Sequence, residues 1–295
     1  MEQLSTKEML DAGVHYGHLK KKWNPKMLPY IFKEIKGIHI IDLNKTNEKL
    51  QESAFALKNI ARSGKKILFV ATKKQAKGIV EEAAKKVNMP FVTERWLGGM
   101  LTNFATIRKS IKKMQTIDKM LSDGSGSYES ITKKERLVLS REREKLERVI
   151  GGIAQLNRIP AAIFVVDISH EHIAISEAHK LNMTTFAMVD TNSDPNMVDF
   201  AIPANDDASK SVELIVNYIT GSIIEGLEER KKEKVDIESA KTDKKTKEKK
   251  VAKPIETIEM EASDEDGSDN KREEKKSKPA ANKGPVKRPA RKVKR

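Results

Sequence analysis

The sequence predicts an α/β chain: a mostly parallel sheet covered by helices on both faces, a helical hairpin standing off it, and a disordered basic tail. Three observations carry this. Short β-branched apolar runs alternate with amphipathic segments of helical spacing. One stretch breaks that alternation with two narrow apolar seams. Apolar residues recur as far as Arg230 and nearly vanish from Lys231 onward.

The elements follow in order. Residues 37–43 (GIHIIDL) are the first apolar run, and 44–62 follow with Leu50, Ala54, Leu57, Ile60 and Ala61 at helical spacing. Residues 66–71 (KILFVA) are a second strand, 73–87 an amphipathic helix, and Phe91-Val92 a third, very short strand. Then Ile107, Ile111, Met114, Ile117 and Leu121 step by four, three, three and four, which makes one seam along a helix. Leu139, Leu146, Val149, Ile150, Ile153 and Leu156 make a comparable seam, and the turn-rich SDGSGSY of 122–128 separates the two. The alternation then resumes with strands at 161–166, 185–189 and 199–202 and helices at 172–181 and 208–227. The expected division is therefore 1–104 and 158–230 for the two halves of the α/β domain, 105–157 for the hairpin, and 231–295 for the tail.

The formal net charge is +14, of which residues 231–295 carry +8, with 22 Lys and Arg against 14 Asp and Glu. A basic domain with a more basic tail points to a polyanion, because each Lys or Arg on a phosphate releases condensed counterions. The hairpin's outer faces carry Lys109, Lys112 and Lys113 among many bases, with Glu135, Glu142, Glu144 and Glu147 interleaved further on. Both RNA contact and intrahelical ion pairing are open there. The tail is rich in Lys, Glu, Ser and Pro and has too little apolar surface to offset the entropy of ordering. The chain has no cysteine, which excludes a disulfide framework and a thiol nucleophile. The opening MEQLSTKEML is polar and acidic, so no secretory signal is expected, and no run approaches the ~20 apolar residues of a membrane span.

Catalytic signatures are absent. No G-x-G-x-x-G and no G-x-x-x-x-G-K-[ST] follows any strand, and Thr72-Lys73-Lys74-Gln75 stand where a phosphate cradle needs glycine. There is no nucleophile elbow. His15 and His18 with Asp190, Asp194 and Asp207 are the residues a divalent metal would require. Yet the H-x-x-H spacing does not set both imidazoles on one helical face, so no metal and no cofactor is assigned. Gly98-Gly99 sits beside Arg95, Trp96 and Asn103, a mix suited to sugar-phosphate contact.

Several chemically odd blocks then line up: GVHYGHLKKKWNPK at 13–26, MLPYIFKEIKGIHIIDLNKT at 27–46, FVATKKQA at 69–76, ERWLGGMLTNFATI at 94–107 and VDTNSDPNMVDFAIPANDDA at 189–208. Together they closely resemble the bacterial ribosomal protein S-two family, with matching blocks from about Glu8 to Leu227. Two departures are Ala71, where the family usually has glycine, and Ser209-Lys210 in place of an apolar-arginine pair. The resemblance implies a flavodoxin-like (Rossmann-like) sheet with a protruding coiled-coil hairpin, and a structural rather than enzymatic role. It further implies a cytoplasmic location on the small ribosomal subunit, contact with 16S rRNA between head and body, and neighbours that include ribosomal protein S-one. No membrane and no small-molecule substrate is implied.

Carried onto this sequence, the family motifs make His18, Trp23, Asn24 and Lys26 a clamp at an RNA border, with simple packing open for Trp23. Arg95 is the leading RNA contact, since its planar fork suits phosphate and base edges. Trp96 is expected in the core more than on a stacking surface. Gly98 and Gly99 would permit close backbone approach, and Asn103 and Thr106 would open the hairpin and cap it or touch RNA. Asp190, Asn192, Asp194, Asn205, Asp206 and Asp207 follow strand ends and are expected as Asx turns and partner contacts. The alternatives to the ribosomal reading are a nucleotide-binding α/β enzyme and a free RNA chaperone that works through its tail.

Overall fold

Five of the apolar runs pair side by side in a computed structural model that describes residues 4–122 and 132–251, with side chains of the last helix followed to Val235. They are β4 (Ile67–Val70), β5 (Phe91–Val92), β6 (Ala162–Val166), β7 (Thr184–Val189) and β8 (Phe200–Pro203), all parallel, in the order β5-β4-β6-β7-β8. Every residue of β4 and β6 is buried, as a sheet covered on both faces requires. Successive side chains point to opposite faces. Thus Ile67 and Phe69 enter one core while Leu68 and Val70 enter the other.

The first core receives α2 (Leu43–Arg62), α3 (Lys77–Lys86) and α7 (Ser209–Val251) through residues such as Leu50, Leu57, Val80, Val212 and Ile219. The second receives α6 (His172–Lys180) and the base of the hairpin formed by α4 (Phe104–Ser122) and α5 (Lys133–Ile150). Phe69, Phe164 and Phe186 are fully buried, and each contributes roughly 2–3 kcal/mol from area alone. From β4 the chain goes outward to β5 and then crosses back to β6. The connections at β4 therefore diverge and leave a crevice beyond the carboxyl ends of β4 and β6.

The hairpin follows its predicted seam. Ile107, Ile111, Ile117 and Ile150 are buried, and Met114, Leu146 and Val149 pack against them half-buried. Lys113 pairs with Glu142 across the two helices, and Arg143 Nε lies 2.6 Å from Asp118 Oδ1. A capping box, Thr132 with Glu135, starts α5. Of the expected turn at 122–128, all but Ser122 falls outside the described residues.

Two expectations need correction. Residues 37–43 do not open the parallel sheet. Their strand, β3 (Ile38–Ile41), is the centre of a separate antiparallel sheet between β1 (Tyr16–Leu19) and β2 (Ile31–Ile35). Its alternating burial, with His39 and Ile41 inside, marks a one-sided antiparallel strand. Lys36 and Gly37 both adopt positive φ, 52° and 78°, between the paired Ile35 and Ile38, the two-residue hairpin turn whose twist suits antiparallel strands. The second correction concerns the tail. Instead of losing structure at Lys231, α7 continues to Val251. Residues 227–251 contain neither Gly nor Pro and are rich in Lys and Glu, so helix propensity persists where apolar content ends. Its early part is tied to α2: Lys58 Nζ meets Glu225 at 3.1 Å and Glu229 at 2.8 Å, and Arg62 Nε donates to Glu233 at 2.7 Å. The remainder of the expected disorder, 252–295, lies outside the described residues.

The α2–α7 crossing depends on Gly226, where a Cβ would press into the Lys58 carbonyl. Helix propensity alone would make Gly226→Ala stabilising by about 1 kcal/mol. The clash predicts the opposite sign, a loss of about 1–3 kcal/mol in urea unfolding.

Candidate functional site

The loop between β5 and α4 carries the RWLGGMLTN block, and a single carboxylate organises it. Glu177, buried on α6, accepts hydrogen bonds from the amides of Gly99 (2.6 Å), Leu101 (2.9 Å) and Thr102 (3.1 Å), from the Thr102 hydroxyl and from Trp96 Nε1 (both 3.1 Å). Burial alone would push its carboxyl pKa up, but the amide and indole donors hold it below the ordinary value. Trp96 is thus a core residue with its one polar atom satisfied. The need for glycine falls on Gly99, at φ 87°, whereas a side chain at Gly98 would meet open space. With Trp96 turned inward, Arg95 is exposed and makes no ion pair among the described residues. Asn103 immediately precedes α4 and accepts from the Thr106 hydroxyl at 2.9 Å. Thr106, Lys109 and Lys112 continue along the exposed side of α4, while Lys113 is already engaged by Glu142.

The second candidate block lies at the other end of the crevice. His18 N donates to Thr191 Oγ1 at 2.8 Å, and Asn24 N donates to the Thr191 carbonyl at 2.7 Å. Lys26 Nζ meets Asp194 at 2.5 Å, and Asn24 Oδ1 caps the short turn that begins at Pro25. The half-buried Trp23 ring lies 5.0 Å from the buried His39 ring. A Cβ on Gly17 would stand 2.6 Å from Thr191 Cγ2, so the Gly17 backbone packs directly on the Thr191 side chain. His18, Trp23, Asn24 and Lys26 therefore sit together against the segment after β7, on an N-terminal stretch that α1 (Thr6–Asp11) precedes.

Behind this clamp the strand ends gather three carboxylates around Lys73, with a fourth, Asp190, on His18. Its Nζ lies 2.7 Å from Asp206, 2.6 Å from Asp207 and 3.3 Å from Asp167. His18 Nδ1 is 2.9 Å from Asp190 Oδ2, and its Nε2 is 3.3 Å from Asp207 Oδ2. Burial, together with Asp190 and Asp167, pushes the Asp206 carboxyl up to about 7. His18 is raised above its usual value, chiefly by Asp190. Burial opposes the charge on Lys73, but Asp206 and Asp207 raise its pKa overall. Asp167 sits at φ 68° and accepts from the Ser169 and His170 amides. Glu171 accepts from Thr72 N at 2.9 Å and from the Thr72 hydroxyl.

The Asx turns of the expected kind are present: Asp194 accepts from Asn196 N, and Asn205 from Asp207 N and Ala208 N. Asn192 and Asp194 are half-buried and Asp207 is exposed, but Asp190 and Asp206 are only 1% and 0% exposed. Of the residues weighed as metal ligands, His18, Asp190 and Asp207 converge, whereas His15 packs against Tyr16 and Asp194 pairs with Lys26. Lys73, Asp167, Glu171 and Glu177 were missed. Each acts through a partner some 75 to 133 residues away, and no local spacing signals such a pairing.

A doubly wound sheet whose crevice is filled by its own ion pairs, with a basic hairpin beside it, defines a binding scaffold rather than a catalytic pocket. The family model for "Ribosomal protein S2" matches residues 9–226, and the chain belongs to that family, one of ribosomal proteins and not of enzymes. It is similar to "Small ribosomal subunit protein uS2" of Cytophaga hutchinsonii, 62% identical over 235 residues that cover 80% of this chain and 92% of that protein. The proteins of the same name from Phocaeicola vulgatus and Bacteroides thetaiotaomicron are 61% and 59% identical, covering 81% of this chain and 85% and 86% of theirs.

Glu177→Gln keeps the shape but turns an amide group toward the loop's donors. We expect a loss of about 2–4 kcal/mol in urea unfolding at pH 7. Because the folded carboxyl is held below its ordinary 4.5, its contribution is full above pH 4.5 and falls away as pH drops through the lower folded value. The gap between wild type and variant should therefore narrow below pH 4.5 in the same assay.

Proposed function

We propose that the chain is a structural, non-catalytic constituent of the small ribosomal subunit that binds 16S rRNA between head and body and helps anchor ribosomal protein S-one. The flavodoxin-like core serves as the platform, and the ribosome places the protein in the cytoplasm. One observation carries the RNA reading: Glu177 pulls Trp96 and the loop amides inward, which leaves Arg95, Asn103, Thr106, Lys109 and Lys112 exposed in sequence along the loop and the first hairpin helix. A planar guanidinium and two lysines free of ion pairs among the described residues suit a phosphate backbone. Gly98 belongs to this surface through its exposed backbone, and Gly99 supports it from beneath by its bonds to Glu177 and Asn103. Lys113, held by Glu142, is a weaker contributor.

The clamp of His18, Trp23, Asn24 and Lys26 borders this role by fixing the N-terminal segment. Protein neighbours, S-one among them, would meet two surfaces. One is the polar edge at Asn192, Asp194 and Asp207, with Asp190, Asn205 and Asp206 supporting it from inside. The other is the antiparallel sheet, where exposed Tyr16, Phe32 and Ile35 line a groove of about 580 Å³. Exposed apolar side chains in contiguous array favour protein contact over RNA.

Sedimentation of tagged protein from its native lysate tests the proposal. Wild type should migrate with small subunits in moderate salt, and Arg95→Glu should reduce its incorporation several-fold. Protein that stays at the top of the gradient would overturn the reading, and unchanged incorporation would remove Arg95 from the contacts. For the isolated protein on 16S rRNA, replacing Lys109 and Lys112 by Ala should flatten the salt dependence of log K by about one unit per lysine. Removal of 252–295 should leave incorporation intact; its loss would make the tail a principal anchor.

A further inference from the structure

The foot of the hairpin and the outer edge of the parallel sheet enclose a cleft that neither the loop surface nor the N-terminal clamp uses. β5 is an edge strand of only two residues, so its outer side has no strand to pair with. Gly152 closes part of that side: a Cβ there would stand 2.2 Å from the Phe91 carbonyl oxygen, so only glycine lets the chain pass this close. Beside this contact a cleft of about 540 Å³ remains between α3 and the end of α5. That lies within the roughly 300–1,000 Å³ of clefts that hold small ligands. Thr93 lines it and is 7% exposed, yet its hydroxyl has no hydrogen-bond partner among the described residues. The other buried threonines differ: Thr46, Thr185, Thr191 and Thr220 each donate to an oxygen. A buried hydroxyl is costly without a partner.

Charge around the cleft is unevenly matched. Its three glutamates each have a base: Glu81 meets Lys85 at 2.6 Å, Glu94 meets Lys77 at 3.1 Å, and Glu147 meets Arg143 at 3.5 Å. Lys66 and Arg148 line the cleft without a carboxylate partner among the described residues. Lys66 Nζ meets only a neutral acceptor, the Asn88 carbonyl at 2.6 Å. Two unmatched cations therefore stand around a half-buried aromatic ring, Phe91. An anion with a flat face fits this lining. A bare phosphate would leave Phe91 and Thr93 unused, whereas a nucleotide brings a phosphate, a ring to lie against the aromatic, and polar edges for the hydroxyl. Thr93 also stands two residues before Arg95, so the cleft continues the surface assigned to RNA.

We propose that this cleft takes a single unstacked nucleotide of 16S rRNA, its base beside Phe91 and hydrogen-bonded to Thr93, its phosphate held by Arg148 with Lys66 in support. The subsite rests on the RNA reading of the neighbouring surface. It adds to that surface a place where a base is held as well as the backbone. Phosphate contacts fix position, and an extruded base fixes register, because only an unpaired nucleotide can enter.

The test binds the full-length chain to small subunits stripped of this protein and reads both affinity and the chemical reactivity of unpaired rRNA bases. Wild type should shield at least one base edge. Thr93→Val, which keeps the shape, should expose that base again and weaken binding about 3- to 10-fold. Gln155→Trp, which fills the cleft from its exposed rim, should expose it too, with a loss of at least about 10-fold. Arg148→Gln should lower the salt dependence of log K by about one unit. Asn59→Trp, exposed on α2, should change nothing. Circular dichroism of each variant separates lost binding from lost fold, and Gln155→Trp decides if Thr93→Val does not fold. Wild-type affinity and shielding in both cleft variants would overturn the subsite, and a loss with Arg95→Glu in the same assay would then show that the neighbouring RNA surface stands without it. Weaker binding with every base still shielded would give the cleft to a protein segment and equally overturn it.

Discussion

The buried carboxylate of Glu177 is the constraint from which the rest of the exposed surface follows. A loop that must run from a sheet edge into a long helix has several amides with no partner of its own. Glu177 supplies acceptors for three of them and for the Trp96 indole at once. A charged acceptor in a low-dielectric setting holds these donors more firmly than water would. The loop is thereby rigid, Trp96 is committed to the interior, and the hairpin leaves the sheet in a fixed direction. The basic residues after the loop owe their presentation to an acid on a different element.

The opposite end of the crevice is organised by the same means with more charges. In many doubly wound sheets the space beyond the strand ends holds a nucleotide, and glycine lets phosphate approach. Here Lys73 stands in that position and spends its charge on Asp167, Asp206 and Asp207, while the N-terminal segment lies across the opening. The fold is retained and its usual ligand space is closed from within, in keeping with membership of a family of structural proteins. Fold alone never determined that outcome; the side chains at the strand ends did.

Much of this was legible in the residues. The fully buried runs of β4 and β6 read as parallel strands because nothing polar interrupts them, and the hairpin seam read directly from the spacing of Ile107, Ile111 and Ile117. The antiparallel sheet was hidden because its strands are short and half polar, and because Lys36-Gly37 is a less familiar hairpin turn than Asn-Gly. The extension of α7 was hidden because apolar content, which sets core burial, was used as the measure of order, although helix propensity is a separate quantity. Of the site, Arg95 and the Asx turns could be singled out, but Glu177 and Lys73 could not. Their roles exist only once residues separated by some 75 to 133 positions are neighbours.

Those separations carry a consequence for how the chain reaches its final form. The bonds that lay the N-terminal segment across the sheet edge join residues 173 and 192 positions apart, and those between α2 and the later chain span 157 and 167. Contacts so distant in sequence close slowly, because the entropy of the intervening loop is lost before they form. During synthesis the first forty residues emerge long before Thr191 and Asn205 exist to receive them. Until then Gly17, His18 and Asn24 have no edge to close against. A nascent chain of this design is therefore complete in its middle before it is finished at its beginning, and a truncated product would lack its N-terminal clasp.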